Sequence, residues 1–308
     1  MNAPQYLNEA IEVNRQAVGM TPQLSIRFAN RVMNLGADLL RRFEETGKVE
    51  DLKEAISNTQ KAITCTPLDH PELSRMFNNL GTMKFWQHKQ TGKIEDFDDA
   101  VNTVQKGADL TPDGHPSKIV KFNNLGTMFS WRYEKTGMIE HADKAIELYK
   151  LAFHCTTGFP LQRITAARQG IQLLVKSDRQ KQANSLADKA VELFPQICSR
   201  YLNYEDQQHA VSQLAGLAAD ACALCLRTKG SPVRALETLE HGRGLIIGYL
   251  IDGHGDIANL NISNPKKEQS RVTHLKLSQT SCLNAVLTHV HHVPRNGYEL
   301  GRQDLYSL

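Results

Sequence analysis

The chain repeats itself with a period of 45 residues, and this feature constrains its fold more than any other. The tripeptide Asn-Leu-Gly occurs at residues 34–36, 79–81 and 124–126, and the dipeptide Thr-Gly at 46–47, 91–92 and 136–137. No insertion or deletion separates these three copies. The sequence therefore predicts a stack of structurally equivalent units, each of which buries its apolar face against its neighbours.

The same register extends beyond the three complete copies. Ala10-Ile11 lies one period before Ala55-Ile56, so the chain opens with the second half of a repeat. Downstream, Ala190-Val191 lies one period after Ala145-Ile146, while the expected glycine has moved by one position, to Gly170. We therefore predict a repeat array over residues 1–197, formed by a half repeat and about four repeats.

Each repeat is predicted to form two helices. In the second copy the first helix begins at Glu72 and ends at Thr91-Gly92, because glycine tolerates the positive φ of a helix C-cap. The second helix begins near Glu95 and Asp96, since acidic side chains favour a helix N-terminus. The loop of residues 111–116, which contains two prolines, then separates this pair of helices from the next pair.

The spacing of small residues indicates the class of repeat. Leu35-Gly36 is followed by Ala55, Ala62 and Pro67, as in the tetratricopeptide (TPR) pattern of 34 residues. The additional residues of the longer period are expected to lengthen the first helix and the connections. The predicted fold class is all-α, a right-handed TPR-like superhelix of helical hairpins with a long, 45-residue repeat.

Composition excludes several kinds of partner. The 36 Lys and Arg residues are nearly balanced by 33 Asp and Glu, so the net charge of +3 gives no electrostatic reason to expect nucleic acid or an anionic membrane. The longest apolar run, residues 244–251, is too short to span a bilayer. No signal peptide opens the chain, and six scattered cysteines form no disulfide framework. We expect a cytoplasmic protein without a cofactor.

One face of each first helix is predicted to bind a partner. With Gly36 at 0° and about 100° per residue, Val32 and Leu35 lie towards the partner helix, whereas Met33, Asn30 and Asn34 lie on the other side, at about 60°, 120° and 160°. First helices line the concave surface of such arrays. The predicted groove contains Asn30, Asn34, Arg75, Asn78, Asn79, Thr82, Asn123, Asn124 and Thr127, with Trp86 and Trp131 as aromatic walls.

Two interpretations of this polar face remain open. Asparagine side chains both donate and accept, so they suit the backbone of an extended peptide of any sequence. Alternatively, the asparagines satisfy hydrogen bonds within the packed helices and the tryptophans fill spaces between repeats. The opening half repeat adds a separate expectation, because its apolar edge predicts either self-association or fraying of the first helix.

The repeats resemble those of filamentous-fungal TPR proteins. The resemblance is carried by residues 77–81, by 131–137, and by the loop of residues 66–71 with its copy at 111–116. It continues at Ala235 to Gly244, which is similar to the helix that joins such arrays to a caspase-like CHAT protease domain. The catalytic pair of that domain lies in His-Gly and Ser-Ala-Cys contexts, which do not occur after residue 260. We assign no catalytic residue.

Three features invite a chemical interpretation, and we give each a structural one. Cys222 and Cys225 form a C-x-x-C within an Ala/Leu-rich helical stretch, which predicts small core residues. Four histidines and Cys282 in the segment 262–308 lack the regular spacing of a metal site, so no metal is predicted. Gly242-Arg243-Gly244 has neither the strand nor the Gly-Lys of a phosphate loop.

The sequence thus predicts three regions and two candidate functions. A helical hairpin over residues 198–261, with helices near 204–227 and 232–251, follows the array, and residues 262–308 form a weakly ordered tail. The first candidate is a non-enzymatic adaptor or scaffold that binds a peptide or partner protein in its groove, as an accessory factor in a fungal pathway. The alternative is the sensor or regulatory fragment of a CHAT-type cysteine protease whose catalytic domain is missing.

Overall fold

The computed structural model describes residues 3–22, 25–197 and 204–244, and within these ranges all regular secondary structure is helical. A further helical segment covers residues 232–244. The helices are α1 (Ala3–Gly19), α2 (Ile26–Thr46), α3 (Val49–Thr64), α4 (Glu72–Thr91), α5 (Ile94–Asp109), α6 (Lys118–Thr136), α7 (Ile139–His154), α8 (Pro160–Lys176), α9 (Gln180–Val191), α10 (Phe194–Ile197) and α11 (Tyr204–Arg227). The predicted all-α helical-repeat superhelix is confirmed.

The chain divides into two compact units, one that ends at Arg179 and one that begins at Gln180. The first contains α1 to α8, and the second contains α9 to α11 and the segment 232–244. The predicted helix at 204–227 coincides with α11, and the helix predicted at 232–251 is described as far as residue 244. The division at 197/198 remains a prediction, and the predicted tail at 262–308 lies outside the described residues.

Three helical hairpins form the centre of the first unit. Hairpin 1 is α2–α3, hairpin 2 is α4–α5 and hairpin 3 is α6–α7. Each first helix ends at the glycine of a Thr-Gly pair, where Gly47, Gly92 and Gly137 have φ values of 72°, 71° and 68°. Side chains strain this left-handed conformation, and glycine adopts it freely. The amide of Gly92 donates to the carbonyl of His88 at 2.8 Å, so the predicted caps are confirmed.

Small residues allow the two helices of a hairpin to approach closely. A Cβ placed on Gly81 of α4 would lie 2.9 Å from the carbonyl oxygen of Ala100 and 2.8 Å from the amide nitrogen of Val104, both in α5. Because those neighbours include backbone atoms, only glycine is accommodated there without a shift. Ala55 of hairpin 1 and Ala100 of hairpin 2 are fully buried. The 45-residue recurrence of these small residues therefore records the helix contact within each hairpin.

The core runs continuously from hairpin to hairpin. Between hairpins 1 and 2 it contains Ala29, Val32, Met33, Ala62 and Met76. The next cluster joins α4 and α5 to α6 and α7, and it comprises Phe85, Phe97, Ala100, Val104, Leu125, Met128 and Leu148. Helix α1 packs onto hairpin 1 in the same manner as a second helix of a preceding repeat. This continuity is what a stacked array requires, since no single hairpin buries its own apolar faces.

The connections between hairpins are built by the recurring histidines. The ring nitrogen Nδ1 of His70 accepts the backbone amide of Glu72 at 3.2 Å, and Nδ1 of His115 accepts the amide of Ser117 at the same distance. These bonds satisfy backbone amides at the start of the following helix. Both histidines therefore help to form the turn that precedes the next hairpin.

Candidate partner-binding face

The first helices of successive hairpins contact one another and form a continuous layer in the first unit. Helix α4 contacts α2 and α6, and α6 also contacts α8. Among the described residues, the second helices α3, α5 and α7 make no mutual contacts of that extent. The layer of first helices, here called the inner face, therefore carries the side chains that the sequence predicts to bind a partner.

The structure brings three of the four central asparagines into one hydrogen-bonded chain. The Nδ2 group of Asn124 in α6 donates to Oδ1 of Asn78 in α4 at 2.9 Å. The Nδ2 group of Asn78 points at Oδ1 of Asn79 at 3.4 Å, a longer contact. Asn78 is 7% exposed, whereas Asn79 and Asn124 are half-buried. Asn78 thus joins two hairpins, as the packing interpretation of the asparagines predicts, and Asn79 and Asn124 retain surface on the inner face.

Asn123 occupies the same register as Asn78 but has a different environment. Its Oδ1 atom is buried and accepts no hydrogen bond within the part of the chain that the structure describes. The residue as a whole is half-buried. An unsatisfied amide oxygen in a protein interior costs free energy.

The two threonines of the predicted groove are engaged in local contacts. The hydroxyl of Thr82, which is 8% exposed, donates to the carbonyl of Asn78 at 3.1 Å within α4. The hydroxyl of Thr127 accepts from the phenol of Tyr149 in α7 at 3.4 Å. These residues stabilise helices and hairpins, and they offer little free hydrogen-bonding capacity on the inner face.

Three predicted groove residues are fully accessible. Asn30 and Asn34 are exposed along α2, and Arg75 is exposed on α4, where it pairs with Glu72. The angular argument also places Met33 on this side, but the structure corrects that placement, because Met33 is 2% exposed and packs in the cluster that contains Met76. The neighbouring hairpin covers the position at about 60° around the first helix. Only the positions near 120° to 160° therefore remain accessible to a partner.

The two tryptophans lie against aromatic residues of the preceding hairpin. Trp86 meets Phe43 edge-on with ring centroids 5.8 Å apart, and Trp131 meets Phe85 edge-on at 5.5 Å. Trp131 also lies 5.2 Å from the ring of His88. Both tryptophans are half-buried, so each fills a space between repeats, as the alternative interpretation predicts, and keeps part of its ring surface on the inner face.

A set of charged residues on the same face was not predicted from the sequence. Glu44, Lys89 and Glu134 occupy one register of α2, α4 and α6, and Lys176 of α8 pairs with Glu134 at 2.5 Å. The ammonium of Lys89 lies 4.1 Å from the ring centroid of Trp86. Burial lowers the pKa of Lys89 to about 8, and Glu44 and Glu134 oppose this shift. The sequence contains a signal for this set, because the charge at this register alternates from negative to positive to negative over two 45-residue steps.

The metal-ligand types and the two cysteines of the C-x-x-C are placed as follows. No group of three or more His, Cys, Asp or Glu residues in the described ranges is arranged to hold a metal ion. Burial raises the pKa of the half-buried Cys222, which makes its thiol a weaker nucleophile. Cys225 is 3% exposed, with its thiol directed at the carbonyl of Ser231, 3.7 Å away. No helix within the described ranges is long and apolar enough to cross a membrane.

These features define a helical-repeat protein of TPR-like architecture. No protein-family model matches the chain, and no curated protein matches it. Among solved structures, the chain is similar to BtubC from P. vanneervenii, with 12% identity over 86% of this chain and 95% of that one, at a TM-score of 0.49.

Two further structures show a similar degree of likeness. A Podospora anserina putative kinesin light chain with nearly identical TPR-like repeats matches with 15% identity over 80% of this chain and 97% of that one, at a TM-score of 0.43. The S. pombe nuclear import adaptor Nro1 matches with 11% identity over 81% of this chain and 87% of that one, at a TM-score of 0.41. The architecture stated above rests on the hairpins of this chain itself.

Proposed function

We propose that this protein is a non-enzymatic adaptor or scaffold of the cytoplasm, which holds an extended peptide or a partner protein against its inner face. The observation that supports this most is a row of amides at one register of successive first helices: Asn34 on α2 is exposed, and Asn79 on α4 and Asn124 on α6 are half-buried. Arg75 and Trp86 extend the row with a charge and an aromatic surface.

The spacing of this row suits a peptide backbone. Packed helices lie about 8–10 Å apart, and three residues of an extended chain span about 10 Å. Every third residue of a peptide that crosses the inner face therefore presents a backbone amide or carbonyl to the asparagine of the next first helix. Such contacts give affinity without sequence preference, and Arg75 and Trp86 add a preference for acidic and apolar side chains.

The test separates accessible asparagines from structural ones. A phage-displayed library of random peptides is selected on the immobilised protein, and the enriched peptide is measured by fluorescence anisotropy. Replacement of Asn30, Asn34 and Asn79 by alanine is expected to weaken binding at least tenfold, while helicity measured by circular dichroism stays unchanged. A matched control replaces the exposed polar residues Ser57, Gln60 and Asn102, which lie on second helices, by alanine. Equal binding by both variants would remove the inner face as the binding surface.

The alternative proposal is a regulatory fragment of a fungal CHAT-type cysteine protease. It is supported by the resemblance at residues 235–244, the described part of which is helical, with Gly242 close enough to Ala218 that an added Cβ would lie 2.4 Å from it. Full-length transcript sequencing tests this proposal. A reading frame that continues into His-Gly and Ser-Ala-Cys motifs favours the protease, whereas a message that ends at codon 308 favours the adaptor and its fungal pathway.

We also propose that the protein self-associates through the open edge of the array. Tyr6 and Val13 of α1 are 53% and 63% exposed, and Met20, directly after the helix, is 83% exposed, which supports an apolar contact surface at this edge. Light scattering coupled to size exclusion measures this directly, because the monomer has a mass of 34.5 kDa. A mass of 34.5 kDa at all accessible concentrations would contradict self-association.

A further inference from the structure

We propose that two copies of this chain pair through α1 in an antiparallel arrangement, with each large side chain of one α1 opposite an alanine of the other. This inference rests on the self-association proposed above and specifies its surface, its partner and its register. It is independent of peptide binding by the inner face, because α1 contributes none of the residues proposed for that face.

A single stripe of α1 points away from the rest of the first unit. It consists of Tyr6, Ala10, Val13 and Ala17, separated by four, three and four residues. That spacing places all four on one side of the helix and is the seam pattern of paired helices. A neighbouring face of α1 carries Leu7 and Ile11, which are 7% and 1% exposed in the cluster shared with hairpin 1.

The repeat register shows what kind of element covers such a stripe. Ala10 is equivalent to Ala55 and Ala100, which are fully buried beneath the first helix of their own hairpin. There, a Cβ on Gly36 would lie 3.3 Å from the carbonyl oxygen of Ala55. In α1, by contrast, Ala10 is only half-buried. The stripe therefore fits a second helix that offers small residues at the points of closest approach.

The α1 stripe of a second copy meets that requirement in one orientation. When two α1 helices run antiparallel with Ala10 opposite Val13 of the second copy, Tyr6 lies opposite Ala17 of the second copy. The two-fold axis repeats both contacts, so four consecutive layers each combine a large and a small side chain, which is how well-packed helix interfaces fill space. A parallel pair would instead place Tyr6 against Tyr6 and Ala10 against Ala10, with steric crowding in one layer and a void in the next.

Light scattering with size exclusion tests the surface. The wild-type chain is expected to show twice the monomer mass of 34.5 kDa. Val13→Glu is expected to shift it wholly to monomer, because the substitution puts a charge at the centre of the seam. The matched control is Leu151→Glu, at an exposed apolar position of α7 where the other repeats carry Gln16, Lys61 and Lys106. The control is expected to remain dimeric, and circular dichroism checks that both variants are folded.

Disulfide trapping tests the orientation. Chains with Tyr6→Cys and chains with Ala17→Cys, distinguished by a mass tag, are mixed and oxidised, and wild type gives the background from native cysteines. The antiparallel pairing predicts a Tyr6→Cys to Ala17→Cys heterodimer as the main new product. Disulfides between identical variants would overturn the orientation, and a dimer that persists in Val13→Glu would overturn the surface. A monomeric wild type would overturn both together with self-association itself.

Discussion

The contact between hairpins 1 and 2 and the contact between hairpins 2 and 3 occupy equivalent positions but differ in chemistry. The first buries Met33 and Met76, which are 2% and 0% exposed. One period later the same two positions hold Asn78 and Lys121, which are 7% and 4% exposed. Because each pair of positions is separated by one repeat, the backbone setting is the same and only the side chains differ.

One hydrogen bond crosses the polar contact, since Asn78 of α4 accepts from Asn124 of α6 at 2.9 Å. The ammonium of Lys121 donates within hairpin 3, to the hydroxyl of Ser117 at the start of α6, at 2.9 Å. Burial lowers the pKa of Lys121 to about 8, with Arg75 lowering it further and Glu72 opposing the shift. Apolar burial stabilises without regard to register, whereas a buried polar network tolerates one geometry. At these two positions the contact between hairpins 1 and 2 is therefore apolar, whereas the contact between hairpins 2 and 3 adds a polar pair of residues to its apolar cluster.

The largest effect is expected when the lysine is transplanted into the apolar contact. Met76→Lys places an ammonium in the apolar cluster of Met33, Val32 and Ala29, whose side chains include no carboxylate to pair with it. The nearby Thr66 hydroxyl, 3.5 Å from Sδ of Met76, is uncharged. We expect the free energy of unfolding in urea to fall by about 4 kcal/mol, the usual cost of a buried charge without a partner. Met76→Leu is the control and should cost under about 1.5 kcal/mol. A loss below about 1 kcal/mol for Met76→Lys would show that the two contacts are interchangeable.

The pH dependence of stability is expected to distinguish the two contacts next. The pKa of Lys121 is about 8 in the folded protein, against 10.5 for an exposed lysine. Between these pH values the unfolded chain binds more protons than the folded one, so stability rises with pH. We expect wild type to gain roughly 2 kcal/mol relative to Lys121→Met from about pH 8 to about pH 10.5.

The comparison with Lys121→Met isolates this lysine from other titrating groups. Lys89, whose pKa is also about 8, is present in both chains, so its contribution cancels. Urea unfolding at a series of pH values, followed by circular dichroism, gives the difference directly. Parallel stability curves for the two chains would mean that the ammonium of Lys121 is solvated in the folded state.

Removal of the amide that joins hairpins 2 and 3 is expected to have a moderate effect. Asn78→Ala deprives the Nδ2 group of Asn124 of its acceptor, and we expect unfolding free energy to fall by about 1.5 kcal/mol. Asn102→Ala, at an exposed position of α5, should change it by less than about 0.5 kcal/mol. If both variants lose equally little, the hydrogen bond between α4 and α6 contributes no stability.

Much of the fold was predictable because its determinants are local. Thr-Gly pairs require a left-handed cap wherever they occur, and Gly36 and Ala55 record a close helix contact through their size alone. Positions near 60° on the first helix were harder, since their environment depends on how far the next hairpin overlaps. Met33 could have indicated the environment of this register, because a large apolar residue there predicts an interface. Asn78, one repeat later, would then also be expected to be buried, as it is.

The candidate site was less predictable than the fold for the same reason. Asn34, Asn79 and Asn124 share one register, yet Asn124 donates across the hairpin contact while Asn34 is exposed. Sequence periodicity predicts the same role for all three asparagines. The neighbouring side chains instead make Asn124 a packing residue and leave Asn34 free for a partner. Lys89 was overlooked because its neighbours in the layer, Glu44 and Glu134, are distant in sequence and become significant only when the 45-residue step is applied to charge.

The smallest expected effect is an increase in stability, which we expect when the polar residues at this contact are replaced by the apolar residues of the other contact. In the double variant Asn78→Met with Lys121→Met, both positions match the contact between hairpins 1 and 2. Asn78 and Lys121 are bonded to different partners. We expect the removal of the buried Lys121 ammonium to raise the unfolding free energy by more than the loss of the Asn124 bond lowers it, for a net increase of about 1 kcal/mol. Asn78→Met alone leaves the Nδ2 group of Asn124 without its acceptor and should be destabilising.

The double variant also tests what the polar contact is for. If Asn78 and Lys121 fix alignment, the stabilised protein should lose uniqueness of structure, visible as broadened amide signals in NMR spectra from α4 and α6, while signals from α2 stay sharp. This follows because methionine side chains pack in many ways, whereas the bond from Asn124 to Asn78 selects one. Sharp signals throughout, together with the increase in stability, would mean that helix packing alone sets the alignment of hairpins 2 and 3. The polar residues would then be explained by partner binding at the inner face.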